Sequence, residues 1–159
     1  MSRWGIGSKI ISVSIPYAVV AIIVSLFFPD YTRIDVIPYL WMASAGGVLI
    51  IMGVIFLVRA AREFTTGFNQ CRLVTTGIYG HVRNPIYAAW IFFIIPGIGL
   101  VLNSWIVIMT ALVAYVCFRC CIKEEEVVLE DAFGDEYRAY REHVGQLVPN
   151  PFRETFRVN

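Results

Sequence analysis

"IYAAWIFFIIPGIGLVLNSWIVIMTALVAYVCFRCCI" runs from Ile86 to Ile122 and carries one charged side chain, Arg119. A helix needs about 20 apolar residues to cross a bilayer, and this run is nearly twice that length. Asn103-Ser104 interrupts it near the middle. The stretch therefore reads as two helices, residues 86–102 and 105–122, joined in a tight hairpin. Upstream, residues 10–28 and 39–58 are apolar enough to be two further spans. The expectation is an all-α, polytopic membrane protein of about four transmembrane helices, forming a single domain over residues 1–159. A cytosolic amphipathic tail helix lies within residues 123–159. The first apolar run has no small-x-small cleavage site followed by a soluble domain, so it reads as a true span and not as a leader.

Composition agrees. Hydrophobic residues make up 58% and charged residues 16%, against about 45–50% and about 25% in soluble domains. A net charge of +1 gives no general electrostatic case for binding nucleic acid. Of the four cysteines, Cys117, Cys120 and Cys121 lie at the end of an apolar run. Cys117-x-x-Cys120 has zinc-like spacing, but no second Cys or His pair completes a site, and no metal centre is expected. These cysteines read as small apolar helix residues.

Lys and Arg set the orientation. Arg3 and Lys9 precede the first span. Arg59, Arg62, Arg72 and Arg83 lie between the second and third, and Arg119, Lys123, Arg138, Arg141, Arg153 and Arg157 fall at or beyond the end of the fourth. Only Arg33 belongs to the other side. Both termini and the 73–87 stretch are therefore expected in the cytosol.

Small residues at Ala43, Gly46, Gly47 and Gly53 suit close approach of the second span to a neighbour. Pro16 is expected to bend span one. Pro96 is expected to loosen span three by leaving the Phe92 carbonyl unbonded. In the tail, Leu129, Phe133, Tyr137, Tyr140 and Val144 recur at helical spacing, so they form one face. That face could lie on the membrane surface or cover the ends of the spans. Gly134 marks a bend, and Pro149 and Pro151 end the helix. Glu124 and Glu126 read as a solvated face. Glu125 continues the face shared by the span and the tail, and a carboxylate turned inward needs a cation. The candidates are Arg83, Arg72 or a positively charged ligand.

"LVTTGIYGHVRNPIY", Leu73 to Tyr87, sits at the entrance to the hairpin. Gly77 permits a turn before Tyr79. Asn84 suits an N-cap, Pro85 the first helical turn, and Arg83 could snorkel to lipid phosphates. That structural reading is complete in itself. Yet this stretch, followed by "KEEEVVLEDAFGDEYRAY" from Lys123, resembles the isoprenylcysteine carboxyl methyltransferase family and its phospholipid methyltransferase relatives. The family pattern is Leu-Val-x-x-Gly-x-Tyr, then Arg-His-Pro-x-Tyr, a helical hairpin, Glu-Glu-x-x-Leu and Phe-Gly-x-Glu-Tyr. The match covers residues 67–149, roughly half of the chain. One departure is plain: the family's usual His is Asn84 here, which forms hydrogen bonds but cannot shuttle a proton near neutral pH.

The resemblance implies S-adenosyl-L-methionine as cofactor, held among the cytosolic helix ends. Carried over by position, its contacts would be Cys71, Arg72, Leu73, Val74, Tyr79, Arg83, Asn84, Pro85, Ile86, Tyr87 and Glu125, with Gln70 a further match where the loop is shorter. Arg and Asn suit the cofactor's carboxylate, Glu125 its ammonium or ribose, and the two tyrosines its adenine or sulfonium. Methyl transfer is an in-line displacement that calls for positioning and exclusion of water. No catalytic residue is assigned. The partners implied are a lipophilic methyl acceptor and membrane lipid. An isoprenylcysteine-type carboxylate leads, with a phospholipid amine or a small thiol as alternatives. The family's substrate-associated Arg falls at Cys121, which is neutral and small. Two readings of other classes stand beside the enzyme. One is a small transporter, which the lack of ionisable residues in the cores of spans one to three disfavours. The other is a non-catalytic membrane adaptor, which Asn84 favours.

Overall fold

The computed structural model describes residues 6–69 and 72–150, with the side chains of 68 and 69 excluded. Gln70, Cys71, Arg3, Pro151, Arg153 and Arg157 lie outside the described residues. Helix α1 is Gly7–Phe27, α2 a single turn at Pro29–Thr32, and α3 Tyr39–Asn69. A 3-10 turn at Gly77–Gly80 precedes α4, Pro85–Val101, and α5 is Trp105–His143. The described residues contain no strand, only two isolated bridges.

Helices α1, α3 and α5 are long and apolar enough to cross a bilayer. The third expected span, α4, is shorter, near the lower end of the about 17–25 residues that suffice. The chain is an integral membrane protein. Its helices stack in the order α1, α5, α4, α3, each packed on the next. Two helices outrun their predicted spans: α3 continues past Val58 to Asn69, and α5 past Ile122 to His143. Helical hydrogen bonding does not stop at a membrane surface, and neither extension contains a proline to end it.

Pro96 lies just after a loosened turn of its span. It has no N–H to offer the Phe92 carbonyl, and the helix widens just before it into a π-turn at Trp90–Ile94, where the Ile95 N–H reaches back to the Trp90 carbonyl. The turn stays packed against α3. A Cβ on Gly46 would stand 2.6 Å from the Gly97 carbonyl oxygen, and one on Gly53 would stand 2.7 Å from Ile94 Cγ1. Hydrogen at these positions is what lets the helices touch. A Cβ on Gly47 would meet nothing within 4 Å, so close packing does not require glycine there.

The two ends of the bundle differ. At one, here the far end, Ser104 N-caps α5 by accepting from the Val107 N–H, and its hydroxyl bonds that of Ser25. At the near end, Lys9 in the first turn of α1 pairs with Glu124. The hydrophobic core lies toward this end. Phe118 and Ile122 pack there with Ile6, Ile10, Ala88 and Leu147. Beyond Ile122, α5 bends at Gly134, whose φ of 55° and ψ of −127° suit only glycine. Tyr137, Tyr140 and Val144 then bury against Leu73, Leu129 and Phe133. The tail face therefore covers the near-end loop.

Candidate functional site

Three segments meet at the near end: the loop before α4, the start of the α5 extension, and a strap at residues 144–147. The strap pairs with the loop much as a strand would. Val82 and Gly145 form a parallel bridge, the Arg83 N–H donates to the Gly145 carbonyl at 2.8 Å, and the Asn84 N–H to the Gln146 carbonyl at 3.0 Å. This fixes the backbone on which Arg83 and Asn84 stand.

Arg83 turns inward. Its Nη1 donates to Glu126 Oε1 at 2.8 Å and to the Tyr137 hydroxyl at 3.2 Å. The Arg83 and Glu126 side chains are 9% and 15% exposed. Glu126 is therefore a largely buried partner and not part of a solvated face. Glu124 is the exposed one, paired with Lys9.

Glu125 is turned inward, as its position on the helix face implied, but neither arginine reaches it. Arg83 is taken by Glu126, and Arg72 is exposed. Helix geometry explains this. Successive side chains diverge by about 100°, so the guanidinium that faces residue 126 faces away from 125. Glu125 instead lies near the tyrosines, interacting electrostatically with the hydroxyls of Tyr79 and Tyr87. Burial, and then the charge of Glu126, push its carboxyl above the ordinary range. Its Oε2 is buried without a hydrogen bond, and so is Arg83 Nε.

Tyr79 is buried, and its carbonyl accepts from the Tyr140 hydroxyl at 2.7 Å. The turn that carries it is set by Gly77, at φ 63°, and by Glu63 of α3, whose Oε2 accepts from the Ile78 N–H at 2.9 Å. Burial first, then Glu63 and Glu125, raise the Tyr79 hydroxyl, which stays protonated at neutral pH. Tyr87 packs its ring on Phe118, with centroids 5.3 Å apart.

The other expected positions divide. Pro85 is fully buried at the start of α4, and Ile86 is half-buried. Asn84 holds the N-cap position, but its side chain makes no capping bond. Its Nδ2 donates to the Gln146 carbonyl at 3.4 Å. Leu73 packs into the tail cluster, and Val74 packs against Gly67. Cys121 is half-buried on the Phe118 and Ile122 cluster. Cys71 lies outside the described residues.

Three residues that shape the site were missed. Glu63 has no motif to mark it, and Glu126 reads as surface in a run of three glutamates. Gln146 sits in "VGQLVP", a stretch with no periodicity to mark it. Its amide nitrogen donates to Glu126 Oε1 at 2.8 Å, and its amide oxygen accepts from Arg119 Nη1 at 2.7 Å.

The sequence and fold are shared with known proteins. The profile of the family described as Phospholipid methyltransferase matches residues 41–136, more than half of the chain. The protein-S-isoprenylcysteine O-methyltransferase of Rattus norvegicus is 29% identical over 136 residues, covering 79% of this chain and 45% of its own length. Protein-S-isoprenylcysteine O-methyltransferase B of Arabidopsis thaliana is 29% identical over 133 residues, covering 78% of this chain and 65% of its own. The solved structure of the eukaryotic intramembrane Ras methyltransferase, isoprenylcysteine carboxyl methyltransferase, superposes with a TM-score of 0.64 at 27% identity, over 91% of this chain and 53% of that one. The chain thus spans about half the length of the mammalian relatives it matches. By the extent of the profile match and the shared fold, the chain belongs to the isoprenylcysteine carboxyl methyltransferase and phospholipid methyltransferase family of integral membrane proteins.

Proposed function

We propose that this chain transfers a methyl group from S-adenosyl-L-methionine to a lipophilic acceptor at the membrane, an isoprenylcysteine-type carboxylate. The observation that carries the reading is that two polar atoms at the near end, Glu125 Oε2 and Arg83 Nε, are each buried without a hydrogen-bond partner. A buried polar group without a partner costs about 1–3 kcal/mol, and more when charged. A zwitterionic ligand answers both atoms. Glu125 suits its ammonium or ribose hydroxyls, and Arg83 Nε suits its carboxylate. The residues present therefore fit the cofactor.

When bound, the cofactor supplies a methyl group on a sulfonium, already activated for displacement. The chain's own part is to bind, orient and exclude water. Tyr79, protonated at neutral pH, remains a hydrogen-bond donor. The Tyr87 and Phe118 rings wall the site on the membrane side. The strap closes over the Arg83-Asn84 backbone.

Asn84 supports a carboxylate acceptor. A carboxylate is ionised at neutral pH and can accept a methyl group directly, whereas an ammonium must first lose a proton to a base, which Asn cannot be. Cys121 favours a second reading. It gives an acceptor carboxylate no cation from that position, so phospholipid N-methylation is the alternative. Incubating the purified chain with labelled cofactor and a prenylated cysteine analogue, beside phosphatidylethanolamine and a simple thiol, separates these. Label in the prenylated analogue supports the proposal. Label only in the phospholipid or the thiol reassigns the acceptor, and no label in any favours a non-catalytic adaptor.

The site is proposed to face the cytosol, where the cofactor is made, with Arg33 on the opposite side. In a cysteine-free background, a cysteine at Arg33 should react with an impermeant thiol reagent from outside the cell, and one at exposed His81 should not. Outside labelling at His81 would overturn the orientation.

A further inference from the structure

Gln146 meets four polar atoms belonging to three other residues. Its carbonyl accepts from the Asn84 N–H at 3.0 Å and from Asn84 Nδ2 at 3.4 Å. Its amide nitrogen donates to Glu126 Oε1, and its amide oxygen accepts from Arg119 Nη1. The orientation of the amide follows from its partners, since a carboxylate only accepts and a guanidinium only donates. Glu126 Oε1 is the same oxygen that takes Arg83 Nη1. Residue 146 thus joins three segments, its main-chain carbonyl holding the loop before α4 to the strap and its side chain holding the strap to α5. An amide is needed for this, with a donor toward the carboxylate at one end and an acceptor toward the guanidinium at the other.

The consequence concerns the neighbouring pair. Gln146 and Arg83 both hold Glu126, through the same carboxylate oxygen. Held there, it keeps Arg83 engaged through Nη1 and leaves Arg83 Nε without a bond. Glu125, next along the helix, keeps Oε2 without one. We infer that the Gln146 side chain positions the ligand site, fixing Glu126 on Arg83 so that Arg83 Nε and Glu125 Oε2 stay free for a ligand. The inference rests on the cofactor reading above.

Substitutions of equal size test it. Gln146→Glu keeps the volume and the acceptor for Arg119, but sets a carboxylate against Glu126. Adding Glu126→Gln reverses the bond. The new amide at 126 accepts from Arg83 and donates to the carboxylate at 146, which still accepts from Arg119. Calorimetric titration of the full chain in detergent with S-adenosylmethionine reads the result, with thermal melting to confirm folding. Gln146→Glu should weaken binding by about tenfold or more, and the double variant should return to within about threefold of wild type. A residue that merely fills space would show no loss in the first and no rescue in the second. Wild-type affinity in Gln146→Glu, or a double variant no better than the single, overturns the inference and leaves the cofactor reading standing. Absence of binding by the wild-type chain overturns both.

Discussion

The two ends of the bundle are built from similar polar residues and use them differently. At the far end the buried polar groups are answered by the fold, while Arg33 and Asp35 are exposed. Asn103 Oδ1 accepts from the Ile34 N–H, the Tyr39 hydroxyl donates to the Val101 carbonyl, and Trp105 Nε1 donates to the Tyr31 carbonyl. Ser104 caps its helix and bonds Ser25. At the near end a denser network still leaves a carboxylate oxygen and a guanidinium nitrogen unanswered. Volume points the other way. A wide groove of about 940 Å3 lies at the far end, lined by Thr32, Arg33, Asp35, Tyr39 and Asn103 among others. Its width matters less than its chemistry, because Tyr39 and Asn103 are already engaged with backbone. Two hydroxyls within the spans, Ser14 Oγ and Thr110 Oγ1, also lack partners, but an uncharged hydroxyl costs far less to leave so than a carboxylate. Unanswered charge that is buried, more than empty space, separates a binding end from a structural one.

The largest effect should come from Arg83→Ala. It leaves Glu126, 15% exposed, as a largely buried carboxylate with its cation removed. Breaking such a pair by deleting one partner costs about 3–5 kcal/mol. Thermal melting in detergent should show a marked loss of stability, and titration should show no measurable cofactor binding. A variant that melts like wild type would mean that the near-end network is as dispensable as a surface pair.

Glu125→Gln should separate binding from stability. The carboxylate has no protein cation, so losing its charge should leave stability unchanged or higher, while cofactor affinity falls by about tenfold or more. The pH dependence has a definite sign. The groups facing Glu125 are Tyr79 from the 3-10 turn, Tyr87 from α4 and Glu126 on its own helix, none of them a cation. With the folded-state pKa raised above the unfolded one, native protein holds the extra proton. This group's contribution to stability is therefore fully present in acid and is lost as pH rises through the raised value. Affinity runs oppositely, rising over that same window as the carboxylate forms. Both slopes, measured as differences from Glu125→Gln, should vanish in the variant. An affinity with no pH dependence in the wild type would remove Glu125 from the site.

What was legible in the sequence follows the same division. The spans were readable because apolar length is a one-dimensional property, and Pro96 and Gly134 because their backbone effects are local. The inward turn of Glu125 was readable from helical spacing. Which cation met which carboxylate was not, because Arg83 and Glu126 are 43 positions apart and the angle between adjacent side chains decides the choice. Nor was the strap. Gln146 owes its role to a parallel pairing with Val82–Asn84, and no pattern within "VGQLVP" encodes a partner that distant. The Asn84 side chain looked like a cap because capping is a local rule, but the strap offered its Nδ2 a carbonyl instead.

Ser104→Ala examines the far end. It removes the cap on Val107 and the partner of Ser25, and N-cap losses run about 0.5–2 kcal/mol. A small drop in melting temperature with unchanged cofactor affinity is expected. A loss of affinity would show that the far end also shapes the site.

The smallest effect belongs to the near end itself, on the outer face of α5. Glu130 receives Arg138 Nε at 2.7 Å and Arg141 Nη1 at 2.9 Å, which on paper is a stronger ion-pair set than Arg83 and Glu126. Those guanidinium-bearing side chains are 59% and 40% exposed. In water the attraction is screened, and holding three long side chains in one geometry costs entropy, so exposed pairs contribute little. Arg138 chiefly, with Arg141, holds the Glu130 carboxyl below its usual value. Any stabilisation is therefore present at neutral pH and is lost as pH falls through that lowered value. Glu130→Ala should leave cofactor affinity unchanged and melting nearly so, and raising salt should abolish whatever difference remains. If Glu130→Ala weakened binding as much as Glu125→Gln, the density of charge and not its burial would be what marks the near end.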